Sequence, residues 1–474
     1  MKTIMLEVPA RLKPMLPAIE KLLRDVDARC ARNVDGRTFD CAKFEAVVRE
    51  DSVTIECAAI GVALAALDVD APHVLIGGEL HARVGRYEAP FFTQSGEVAV
   101  MRSLYRKAGE RNGRVVDPVA TRAGCVAGEW LPGAARQMAF LLQQGTAREA
   151  EQTAKQLGRL PYSRCSFDRV GHTVGARYLE QRESVEQQLI ERFDLPEGAR
   201  GVSVSLDRIS VPIEEPLARP AGRPRRDAPK RPCTRAWRMA YCGTVTIHDG
   251  QGEALHTIRY GTMPQGDESA LVESMASDVL ALLDQKSNLS ISLLCDGAPE
   301  LWNLLDAEFD RESFGRRTIH RRIDFWHLVE KLAPAAEVIY GDNAVHHRKR
   351  WALRLLNTET ASVAILGELR RSGRDSVRVG DTRPVHDAIT YIENHGDKMN
   401  YVDARKRGLP IGSGQVEATC KSLFALRFKR PGSRWKHQTG EHIVHLRALA
   451  LSDRWDHAMD ITLRAKSVRI RKAA

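Results

Sequence analysis

Four acids and a histidine stand where separate elements could bring them together. Asp207 lies inside the alternating run "VSVSLDRISV", and Asp296 ends the apolar run "LSISLLCDG". Glu417 follows the turn Gly412-Ser413-Gly414, and Asp324 and His327 bracket "DFWH". Carboxylates converging from separate elements can hold two divalent ions roughly 3.5–4 Å apart and direct phosphoryl transfer between them. All-oxygen donors suit Mg²⁺ or Mn²⁺. Each residue also has a plainer reading. Asp207 fits an exposed strand position, although a strand carboxylate is costly to bury unless it is paired or binds a metal. Asp296 fits a turn or helix cap, Asp324-x-x-His327 a cap with a packed histidine, and Glu417 an i,i+4 partner of Lys421.

Cations crowd the last of these acids. Arg427, Lys429, Arg430, Arg434 and Lys436 follow Glu417, with Trp435 among them to pack or stack. A second basic stretch, "PLARPAGRPRRDAPKRPCTR", carries Arg223, Arg225 and Arg226, and its prolines exclude a regular element, so a basic loop is expected. The net charge of +10 favours an acidic partner, for which nucleic acid is the commonest candidate. A solvated basic face is the alternative for any one of these residues. Trp326, at a strand-to-helix junction, is read as a packing residue.

The elements that must position these groups follow from periodicity. Residues 1–82 carry helical spacing, as in "LPAIEKLLRDV". Residues 83–127 change to alternating runs around Ser95-Gly96, a β-hairpin. Within 128–190, a helix from Ala147 to Leu157, a break at 158–161 and a helix from about Ser163 have the form of a helix-turn-helix or of an ordinary helical hairpin. In the first form the second helix presents Ser163, Arg164, Ser166 and Arg169 to a groove. Residues 198–330 read as three strands in a meander, a helix, a fourth strand, a helix and a fifth strand, the order of a ribonuclease-H-like domain. Residues 331–409 are mostly helical, an insertion, and 410–465 complete the core with the Glu417 helix and further helices.

The stretches "SLDRISVP", "LLCDGAPELW", "IDFWHLVEKL" and "GLPIGSGQVEATCKSLFALRFKRPGSRW" together resemble bacterial insertion-sequence transposases of the Kra type, relatives of the Mutator-like transposases. The Gly-Ser-Gly-x-x-Glu helix start with its downstream Arg-x-Lys-Arg-x-Gly-x-x-Trp is the most specific part, and the match runs from about residue 80 to 460. The resemblance implies an α/β chain with a ribonuclease-H-like catalytic core interrupted by a helical insertion and preceded by helical and helix-turn-helix-like DNA-binding regions. It implies an Asp-Asp-Glu transposase with Asp207, Asp296 and Glu417 holding two Mg²⁺ or Mn²⁺ ions, and Asp324 and His327 as auxiliary residues. Its partners would be double-stranded DNA, at transposon ends and target, and a second copy of the chain, since joining two ends takes at least a dimer. A structure-selective nuclease on the same fold, or a transposase-derived DNA-binding protein without catalysis, are the competing readings.

Other classes find little footing. The nine cysteines are scattered without Cys-x-x-Cys pairs or clustered Cys/His spacing, which argues against a structural zinc site or disulfide framework and suits a reducing cytoplasm, with association to the nucleoid. The N-terminus lacks signal-peptide order, no apolar run reaches the length of a membrane span, and no phosphate-binding loop for a nucleotide cofactor is found.

Overall fold

Alternation in "GVSVSLD" becomes a strand with two unlike faces, and most of the architecture follows from covering each face differently. The computed structural model describes residues 5, 7–32, 40–217, 233–465 and 467–473. Arg223, Arg225 and Arg226 lie outside the described residues. The chain is mixed α/β and divides into two units, 182–455 and the remainder, 1–181 with 456–474.

In the smaller unit, helices Leu16–Arg32 and Cys41–Ala65 precede a five-stranded antiparallel sheet. Its long hairpin pairs Glu79–Phe92 with Glu97–Lys107, turning at Ser95-Gly96 with Gly96 at φ 143°. The segment His73–Ile76, inside the stretch expected to be helical, is a strand instead. It pairs with Ile470–Lys472 from the far end of the chain, a partner that local periodicity does not reveal. Thr146 and Glu149 form a capping box on helix Ala147–Leu157, Gly158 ends it at φ 64°, and Ser163 caps helix Arg164–Leu179. Arg164 and Arg169 are exposed on that second helix.

The larger unit is built on strands β1 (Gly201–Pro216), β2 (Cys233–His248), β3 (Ala254–Thr262), β4 (Ser290–Cys295) and β5 (Ile319–Ile323). Sheet order is β3-β2-β1-β4-β5, with β1, β2 and β3 antiparallel and β4 and β5 parallel to β1. This arrangement is compatible with a ribonuclease-H-like core. β2 begins earlier than the sequence suggests: Cys233, Thr234 and Arg235, expected in the basic loop, pair with Pro216, Glu215 and Glu214. The ladder of the preceding strand extends them.

One face of this sheet carries Val202, Val204, Val245, Ile258, Ile291 and Leu293, buried under helices α1 (Glu268–Gln285) and α2 (Pro299–Phe309). Gly243 is required there, because a Cβ would come within 2.4 Å of Met275 Sδ on α1. The opposite face carries Ser203, Ser205, Asp207, Thr244, Thr246 and Arg322. Helix α3 (Phe325–Tyr340) follows β5, the helical stretch after it includes α4 (Pro384–His395), and α5 (Gly414–Thr419) and α6 (His437–Leu451) complete the unit. Trp351, Leu355, Ile365, Val385 and Ile392 of the helical stretch join the same buried core as the strands. No helix among the described residues is long and apolar enough to cross a membrane.

Candidate active site

β1 passes Asp207 across the middle of the sheet, and β4 ends one residue before Asp296. The backbone N–H of Asp324 donates to the carbonyl of Cys295 at 2.9 Å, so the end of β5 is tied to the end of β4 and Asp324 lies beside the Asp296 turn. Burial pushes the Asp207 carboxyl above the usual range, and Asp296 raises it further by like-charge repulsion. The Arg208 amide, 2.6 Å from Asp207 Oδ1, the Cys420 thiol, 3.5 Å from Oδ2, and His327 pull in the other direction. Asp296 Oδ1 accepts from the Ala298 amide at 2.9 Å, and Trp302 Nε1 donates to the Asp296 carbonyl at 2.7 Å. The turn geometry expected of Asp296 is present, and its charge is felt at Asp207.

Glu417 lies beside His327 and Asp324, with one ligand atom of each of the three within 4.8 Å of the others. His327 Nε2 lies 3.9 Å from Glu417 Oε1, and Nδ1 lies 3.7 Å from Asp324 Oδ1. Asp324 is fully buried, and both of its oxygens are engaged. Oδ1 accepts from the His327 amide at 2.8 Å, capping α3, and Oδ2 accepts from the Ser413 hydroxyl at 2.7 Å and from the Ser413 amide. Ser413 stands at the N-cap position of the Glu417 helix, but its hydroxyl goes to Asp324 and it makes no side-chain cap. Asp324 thus ties the start of α5 to the start of α3 and holds Glu417 opposite His327. The helix carrying Glu417 continues as a π-helical stretch, Cys420–Ala425, which turns Cys420 toward Asp207. Such stretches inside helices are frequent at functional sites.

Several expected residues stand elsewhere than anticipated. Trp326, read as packing, is 61% exposed. Its neighbour Phe325 takes the buried position, as the first-turn stagger of α3 allows only one of the two to face inward. Arg427, expected to face DNA, is 5% exposed, with its guanidinium 4.6 Å from the centre of the Trp435 ring. Trp435 packs 4.4 Å from Phe428 and joins the β1 backbone, its N–H donating to Pro212 at 3.0 Å and its carbonyl accepting from Glu214 at 2.8 Å. Lys429 and Arg434 are exposed, and Arg430 is half-buried with its Nε donating to the Leu426 carbonyl at 3.2 Å.

No family model and no curated protein matches the chain. A solved structure, "Mos1 transposase paired-end complex with left transposon end", is similar over 58% of this chain and 77% of that one, at 11% identity and a TM-score of 0.16. A likeness that loose carries no weight in assigning a role.

Residues of the helical stretch also meet the site, and sequence reasoning missed them. Tyr391 and His395 on α4 close over Gly297, beside Asp296. A Cβ at 297 would come within 2.5 Å of Tyr391 Cε2 and 3.0 Å of His395 Nε2, so the approach depends on glycine. Burial raises the Tyr391 hydroxyl well above its usual range, with Asp296 and Asp324 adding to it and the Gly297 backbone acting against it. Burial lowers His395. No motif spacing marks this pair. Cys420, by contrast, sits three residues after Glu417, a separation that a helix places on one side.

Proposed function

We propose that the chain is a DNA transposase of the Asp-Asp-Glu type, similar to the Kra-type insertion-sequence enzymes, which cuts at transposon ends and joins 3′-hydroxyl ends to target DNA. The observation that carries this reading is the half-buried Asp207 carboxyl, raised by burial and by the charge of Asp296 at the end of the neighbouring strand, with Glu417 3.9 Å from His327. Two repelling carboxylates at the edge of a sheet are a costly arrangement that a cation relieves.

The donor set fits hard divalent ions. Asp207, Asp296 and Glu417 would hold them, whereas Asp324 has both oxygens committed to Ser413 and the His327 amide and acts as a positioning residue. Mg²⁺ or Mn²⁺ bound there would supply the positive charge that activates the attacking oxygen and stabilises the departing 3′ oxygen. The chain's own part is to fix the carboxylates. The Arg208 amide orients Asp207, the Ala298 amide orients Asp296, and Asp324 holds the Glu417 helix through Ser413. His327 lies within reach of both Glu417 and Asp324. Exposed Lys429 and Arg434, with Arg164 and Arg169 on the helix-turn-helix-like segment and with Arg223, Arg225 and Arg226, would neutralise DNA phosphates. The 331–409 segment is read as the insertion between the second and third acids, and a dimer on paired ends as the working form.

Mg²⁺-dependent cleavage of DNA carrying the ends of the chain's own element tests this. Replacing Asp207, Asp296 or Glu417 by Ala should lower cleavage by about a thousandfold or more while DNA binding stays within about threefold, because the acids serve chemistry and not affinity. Cleavage by Glu417→Ala at the parent rate removes it from the set.

A further inference from the structure

Next to the acids, the polar face of the larger unit's sheet encloses a cavity of about 650 Å³. Ser203, Ser205 and Thr246 form its floor, the segment 409–415 its wall, and Trp326 its rim. We propose that this cavity receives one unpaired nucleotide of the bound DNA strand, its base stacked against Trp326 and its edges read by the hydroxyl floor. The proposal rests on the reading of the acid edge as a DNA site and names the part of the substrate held beside it.

Four observations point to that occupant. The cavity's lining lies close to the acid residues: Ser205 precedes Asp207 by two residues on the same face of β1, about 7 Å along the strand, Trp326 adjoins His327, and Ser413 binds Asp324. A strand whose phosphate lies at the acids therefore has its neighbouring nucleotide at the cavity mouth. Second, Trp326 is 61% exposed on a helix whose preceding residue is fully packed, and its ring edge rests on bare backbone at Gly412, where a Cβ would come within 3.0 Å of Trp326 Cδ1. Glycine at 412 lets the indole lie flat along the rim, leaving most of its surface to a partner.

Third, the lining is mixed in donors and acceptors and close to charge-balanced, with hydroxyls and amides outnumbering Arg405 and Glu253. A site for phosphate alone would be cationic, whereas base edges present donors and acceptors side by side. Fourth, His248, which also lines the cavity, is 1% exposed and its Nε2 has no hydrogen-bond partner, a buried polar atom in search of one. The volume lies within the range of small-molecule sites and accommodates a single nucleoside. Enzymes that work on DNA commonly take a nucleotide out of the stack, and an aromatic ring that stacks on any base repays the lost stacking without demanding a sequence.

The test uses the full chain in EDTA, so that cleavage does not intervene. Fluorescence anisotropy compares a fully paired duplex with the same duplex carrying one bulged thymidine, and 2-aminopurine at the bulge reports stacking. The parent should bind the bulged duplex about tenfold more tightly, with the 2-aminopurine emission quenched on binding. Trp326→Ala should erase both the preference and the quenching while binding the paired duplex like the parent, and Trp326→Phe should restore most of the preference. An equal preference in Trp326→Ala, or no preference in the parent, overturns the proposal. Mg²⁺-dependent cleavage by the parent, measured alongside, separates the two claims. Cleavage without a bulge preference removes the cavity's role and leaves the transposase reading, and a Trp326-dependent preference without cleavage does the reverse.

Discussion

The two faces of one sheet have opposite fates. On one, Val202, Val204, Val245, Ile258, Ile291 and Leu293 are sealed under α1 and α2. On the other, the same strands present Ser203, Ser205, Asp207, Thr244 and Thr246, and the chain covers them with the segment that delivers Glu417, leaving a polar cavity beside the acids. Strand periodicity makes this division: each residue on the dry face is followed by one on the wet face, so the strands that build the core also hold the carboxylates rigidly. Apolar packing is concentrated on the first face, and hydroxyl and carboxyl groups on the second.

That contrast can be broken most strongly from the dry side. Leu293→Ala, at a fully buried position, should cost about 2–5 kcal/mol in unfolding free energy, whereas Thr246→Ala on the wet face, losing a hydroxyl contact to Thr257 at 3.2 Å, should cost about 1 kcal/mol, as denaturant titration would report. Costs of equal size would mean that the wet face is core as well.

A change at the junction should separate activity from stability. Gly297→Ala drives a Cβ into Tyr391 and should lower cleavage by about tenfold through displacement of the Asp296 turn, with a smaller effect on Tm. Adding Tyr391→Ala makes room and should recover much of the rate. Failure of the double variant to recover would show that α4 supplies a group to the reaction and is more than a neighbour of the turn.

The smallest expected effect is a gain. With no metal bound, the Asp207 carboxyl sits above its unfolded range, first through burial and then through Asp296, so the ionised form opposes folding. The contribution of this group to stability is therefore full below the unfolded carboxylate pKa and is lost as pH rises through the higher folded value. Asp207→Asn should raise the metal-free Tm by about 2–4 °C at neutral pH, with the gain shrinking toward zero in acid, as calorimetry across pH would show. A loss of Tm at neutral pH would mean that the carboxylate is already compensated within the fold.

Much of this arrangement is legible in the sequence, for reasons that are local. The alternation through 201–207 foretells the strand and its two faces, and the Thr146 and Ser163 caps mark the ends of their helices within a residue. Motif resemblance and element order lead to the expectation that Glu417 joins Asp207 and Asp296, with Asp324 and His327 as auxiliary residues; the 3.9 Å approach of His327 to Glu417 is not anticipated. What escapes is set by partners distant in sequence. Trp326 is exposed because Phe325 takes the inward place, Arg427 is buried because Trp435 folds back onto β1, and Tyr391 with His395 reaches the site only through tertiary packing against Gly297. The pairing of His73–Ile76 with Ile470–Lys472 spans nearly the whole chain and has no local signature.

The most direct test of the central claim is anomalous scattering from crystals of the chain soaked in Mn²⁺. Peaks held by Asp207, Asp296 and Glu417, absent in Asp296→Ala, are the predicted result. The three residues Asp324, His327 and Glu417 also have ligand atoms within 4.8 Å of one another, and Mn²⁺ confined to that group, or no peak at Asp207, would contradict the assignment of the catalytic acids.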